Sequence, residues 1–133
     1  MKMIHLGGSF GNDMESFEAK IFVGFKEKET GKIHTLEECE RICQEFVNKN
    51  PQCVTVTSTK FIYTNGSEPG AIIGFIQYPR FPDWIPEIKR ISLELAEILM
   101  TELNQFRVTV NFPDEVVMLS NSKFVKDEET SKI

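Results

Sequence analysis

Nothing in these 133 residues supplies a membrane span, a secretory leader, a basic face or a disulfide framework. No stretch approaches the ~18 apolar residues that a membrane-crossing helix needs. The opening MKMIHLGGSFGND lacks the apolar core of about 7–15 residues that marks a signal peptide. A cytoplasmic location is therefore expected. Cysteine is sparse and odd in number, three residues, which fits reduced thiols. Basic residues number 15 against 20 acidic ones, a net charge of −5. Phosphate backbones demand a basic face, so DNA or RNA is not expected as the main partner.

Chemical motifs are missing too. The glycine-rich GGSFGND at 7–13 has neither the G-x-x-x-x-G-K-[ST] of a P-loop nor the G-x-G-x-x-G of a dinucleotide turn. It reads as a bulged hairpin end or as a backbone nest for an anion. Cys39 and Cys43 are four apart with no second pair, so they fit core packing better than a metal site. His5 and His34, the two histidines, stand beside no G-x-S-x-G nucleophile. No catalytic residue, cofactor or metal ligand is assigned.

What is present has an ordered pattern. MIHLGGSF and EAKIFVGF read as strands, with Gly11-Asn12-Asp13 as hairpin-turn material between them. Thr35 and Glu38 form a capping box ahead of an apolar stripe of Leu36, Cys39, Ile42, Cys43, Phe46 and Val47. CVTVTSTKFIYT reads as a strand, but Val54 and Val56 are out of phase with Phe61 and Tyr63. That slip predicts a bulge near Ser58-Thr59-Lys60 or a strand crossing an edge. NGSEPG reads as a turn and AIIGFIQY as a central strand covered on both faces. A second helix carries Ile88, Ile91, Leu95, Ile98, Leu99 and Leu103 in one stripe, with Asp83 as cap and Pro86 in its first turn. RVTVNF and VVML are further strands.

The order strand, helix, strand, strand, helix, strand is the α+β, ferredoxin-like βαββαβ arrangement: two helices on one face of an antiparallel sheet, with short extra strands at both ends. One domain over 1–120 and a polar, frayed tail over 121–133 are expected. The second face of the sheet needs a cover, so a homodimer or higher oligomer is expected.

The stretch YPRFPDW at 78–84 displays Tyr78, Arg80, Phe81 and Trp84 on a proline-stiffened loop. Tyr, Phe, Trp and Arg stack on planar rings and pair with anions. With Arg107 at the start of the last long strand, they are the expected ligand-binding residues. The function expected is that of a non-catalytic homo-oligomer that sequesters or senses an anionic or planar small molecule such as a nucleotide signal. One alternative is an inhibitor or interaction module acting through its acidic surface. The other is a small cofactor-free enzyme of a ferredoxin-like dimer, with Tyr63, Tyr78, His5 or His34 as acid–base groups.

Overall fold

A computed structural model describes residues 2–13, 15–77 and 84–124. The strands are β1 (Lys2–Leu6), β2 (Ser9–Asp13), β3 (Glu18–Gly24), β4 (Val54–Tyr63), β5 (Gly66–Ile76), β6 (Arg107–Asn111) and β7 (Val116–Ser120). The helices are α1 (Leu36–Lys49) and α2 (Ile85–Glu102). The architecture is mixed α+β, built on a five-stranded antiparallel sheet in the order β4-β5-β3-β6-β7.

α1 begins where the sequence says it should. The Thr35 hydroxyl accepts from the Glu38 amide, and the Glu38 carboxylate accepts from the Thr35 amide. Such reciprocal capping satisfies two amides that the first turn leaves without helical partners. The stripe then buries Cys39, Ile42, Cys43 and Phe46. α2 buries Ile88, Ile91, Leu95 and Leu99, and Leu103 is buried just past its end. Both helices cover one face of the sheet, which presents Ala19, Ile21, Val23, Ala71, Ile73, Phe75, Val108 and Val110. Each full burial of a side chain of the Val, Ile, Leu or Phe type contributes about 1.5–3 kcal/mol.

Several local expectations are corrected. The N-terminal hairpin turns at Gly7-Gly8, where Gly7 takes φ 49°, and Gly11–Asp13 lies inside β2. No bulge interrupts β4. Its ladder with β5 runs unbroken from Val54↔Phe75 to Tyr63↔Gly66. The phase slip is a change of face: Val54 and Val56 point at the helices, while Phe61 and Tyr63 point away. The two-residue turn Thr64-Asn65 closes this hairpin, with Asn65 at φ 60°. Ser67 to Gly70 therefore belong to β5 and not to the turn.

β5 was expected to be covered on both faces. Within this chain its second face stays partly open, with Ile72 and Gly74 half-buried and Ile76 exposed. α2 is capped by Trp84, whose side chain makes no capping hydrogen bond. Asp83, the expected cap, lies outside the described residues. Residues 121–124, placed by the sequence pattern in a frayed tail, are packed. Asn121 and Phe124 are buried, and Phe124 lies 4.7 Å from Phe106, centroid to centroid. Among the described residues no helix is long and apolar enough to cross a membrane.

Candidate functional site

Side chains alternate between the two faces of a strand, so residues two or four apart share one. Gly66, Gly70 and Gly74 are four apart in β5, on the face away from the helices. Gly24 closes β3 on that same face, paired with Gly70. Together they leave gaps between the Glu68 and Ile72 side chains on the open face, and neighbours lean into them. A Cβ added at Gly66 would lie 2.5 Å from the Tyr63 ring. One at Gly70 would collide with the Phe61 ring and lie 2.5 Å from the Val23 carbonyl oxygen. One at Gly24 would lie 2.9 Å from the Glu68 carboxyl carbon.

Glu68 is therefore folded flat over Gly24, and it is only 2% exposed. Its Oε2 accepts from the Lys26 amide at 3.0 Å. Its Oε1 has no hydrogen-bond partner. The Lys28 ammonium stands 3.6 Å from that oxygen, inside ion-pair reach but beyond hydrogen-bond length. Lys28 also donates to the Tyr63 hydroxyl at 3.4 Å and lies 5.1 Å from the Tyr63 ring centroid. A buried carboxylate oxygen without a donor is costly. The site as built is one carboxylate, one ammonium and two aromatic rings, over a floor of glycine backbone. Such a set suits a cationic group beside a flat ring.

Behind the same end of the sheet, His34 is buried between two carboxylates. Its Nε2 is 2.7 Å from Glu27 Oε2, and its Nδ1 is 2.8 Å from Glu38 Oε2. Glu27 also accepts from Asn104 at 2.9 Å and Thr30 at 3.0 Å. The Asn104 hydrogen bond foremost, then those of His34 and Thr30, hold the Glu27 carboxyl below its ordinary value. The His34 ring does the same for Glu38. Both ring nitrogens are engaged, so His34 ties the start of α1 to the extension of β3. His5 sits on the N-terminal hairpin, edge-on to Phe10 at 4.8 Å.

Of the residues expected to bind a ligand, Tyr78, Arg80 and Phe81 lie outside the described residues. Trp84 is 76% exposed at the start of α2. Arg107 follows the end of α2 and opens β6, half-buried. The 18 residues of α2 span about 27 Å at ~1.5 Å per residue. Trp84 and Arg107 therefore mark opposite ends of the sheet. Arg107 shares the end that holds Tyr63, Glu68 and Gly24, because β4 and β3 finish there while β5 and β6 begin there.

Two solved structures of a phage SAM lyase share this fold. The apo form superposes with a TM-score of 0.65 at 15% identity, over 80% of this chain and 90% of that one. The form in complex with S-methyl-5′-thioadenosine gives 0.64 at 14% identity, over 82% of this chain and 92% of that one. No protein-family profile and no curated protein matches the chain. At this identity the likeness is one of fold. It nonetheless corrects the sequence-based expectation of a non-catalytic, non-enzymatic binding protein, since the fold neighbours are a lyase acting on S-adenosylmethionine.

Glu68 and Lys28 escaped the sequence reading. Glu68 lies within the turn-like NGSEPG. The signal that points to them is the spacing Gly66, Gly70, Gly74 in a strand, because strand glycines mark close approaches.

Proposed function

We propose that this chain is a small enzyme without a bound cofactor that cleaves S-adenosylmethionine, or a near sulfonium relative, on the open face of the sheet beside Glu68. The observation that carries the reading is the buried Glu68 carboxylate, whose Oε1 accepts no hydrogen bond and faces the Lys28 ammonium at 3.6 Å, itself 5.1 Å from the Tyr63 ring centroid. The fold likeness to a SAM lyase supports it. A sulfonium is a cation with no N–H or O–H to donate, so it is recognised by charge and by aromatic faces. Glu68 supplies the charge, and Tyr63 with Phe61 supplies flat surface for a purine. S-Methyl-5′-thioadenosine is S-adenosylmethionine without its four-carbon amino-acid arm. In a lyase step the bond from sulfur to that arm breaks and its electron pair stays on sulfur. The arm then completes its own valence without water, either by passing a neighbouring proton to a base such as the Glu68 carboxylate or by bonding its own carboxylate oxygen to the carbon that left sulfur.

The ferredoxin-like topology belongs to the same reading. The order β4-β5-β3-β6 around α1 and α2 supports it. So does self-association across the open face, where Ile76 and Met118 are exposed beside half-buried Phe22 and Ile72. The test is incubation with S-adenosylmethionine and chromatography for S-methyl-5′-thioadenosine. Turnover is expected, and Glu68→Gln should lower it at least about 100-fold, the scale of losing one electrostatic contact to the reacting centre. An unchanged rate in a folded Glu68→Gln protein removes the assignment.

A further inference from the structure

We infer that Arg107 holds the carboxylate of the substrate, so that the site selects a zwitterion: a cation at Glu68 and an anion at Arg107, one strand apart. This rests on the reading that a sulfonium sits beside Glu68. The register of β3 with β6 sets Lys20 opposite Asn111 and Phe22 opposite Thr109. The same step, continued, brings Gly24 to Arg107. Arg107 alternates with Val108, which faces the helices, so it belongs to the open face. Gly24 carries the Glu68 carboxylate above it. The two opposite charges thus flank a residue with no side chain.

Arg107 is available for this role. Its Nε is a buried nitrogen without a hydrogen-bond partner. Arg41 is taken by Glu45, and Arg90 by Glu87 and Glu94. Among the described residues, no carboxylate forms an ion pair with Arg107. A guanidinium binds a carboxylate with two parallel N–H donors, and Nε with one Nη is such a pair.

The test uses S-adenosylmethionine and its decarboxylated analogue, which keeps the sulfonium and loses the anion. In the wild-type protein, S-adenosylmethionine should shift the Arg107 Nε–Hε NMR resonance, and the analogue should not. Arg107→Gln should weaken S-adenosylmethionine binding about 10- to 100-fold, the scale of charge-assisted hydrogen bonds. The same change should leave the analogue unaffected, and Arg107→Lys should recover part of the loss. Equal binding of the two compounds, or an unmoved resonance, overturns the inference. Discrimination without turnover keeps it and removes the lyase reading, while turnover without discrimination does the reverse. If neither compound binds, both fall. The wild-type resonance keeps the test valid even where a variant misfolds.

Discussion

Gly24→Ala tests whether the glycine floor holds Glu68 in place. The added Cβ would lie 2.9 to 3.0 Å from the three carboxyl atoms of Glu68, whereas non-bonded carbons rest at ~3.5 Å or more. The carboxylate is the end of a flexible side chain, so it moves and the backbone stays. Moving it breaks the 3.0 Å hydrogen bond from the Lys26 amide, at about 1.5–3 kcal/mol for a bond to a charged group. Gly24 does not use the left-handed region, so alanine returns about 0.4–1 kcal/mol by restricting the unfolded chain. The net loss is about 0.5–2.5 kcal/mol in the wild type. In a Glu68→Ala background the obstacle is gone, and the same change should stabilise by about 0.4–1 kcal/mol. Urea unfolding of the four proteins gives the coupling, expected at about 1.5–3 kcal/mol. If Gly24→Ala costs the same in both backgrounds, Glu68 does not lie where this reasoning needs it.

Gly70→Ala differs in kind, because its Cβ would meet the Val23 carbonyl oxygen at 2.5 Å and backbone cannot swing aside. It should cost about 3 kcal/mol, the upper range of overpacking, and an alanine tolerated there in urea unfolding would contradict the close approach of β3 and β5. The Glu27 and Glu38 carboxyls titrate below their ordinary value of 4.5 in the folded chain. The folded form therefore holds these protons more weakly than the unfolded one. Their contribution is present above about pH 4.5 and is lost as pH falls through the lowered values. The urea midpoint should drop below that pH, and Glu27→Gln should flatten the drop. Identical acid profiles for variant and wild type would show that the His34 network contributes nothing.

The helices and strands were legible because their residues obey a period. α1 was readable down to its cap, since Thr35, Glu38 and the stripe from Leu36 to Val47 all agree. β4 was readable as a strand, but its change of face was mistaken for a bulge. Periodicity reports which residues share a face, and it cannot report that the second face has its own glycine floor to receive Phe61 and Tyr63. Glu68 was illegible for a related reason. Within NGSEPG it sits among turn formers, and its burial is created by Gly24, 44 positions away in the chain. Arg107 was singled out as a lone arginine at a strand start. Its neighbourhood with Glu68 follows from the order β5-β3-β6, a property of pairing that no local window contains.

The N-terminal hairpin carries a thermodynamic consequence. None of residues 2–13 belongs to the core cluster, and Met3, Leu6 and Phe10 are 63%, 58% and 70% exposed. A lone two-stranded hairpin is marginal in water, so β1 and β2 form an opening unit of their own. Their amides should exchange with solvent far faster than those of β3 or β6. Global unfolding would then be blind to them: a substitution in the hairpin could abolish its pairing without moving the unfolding midpoint of the sheet and its helices.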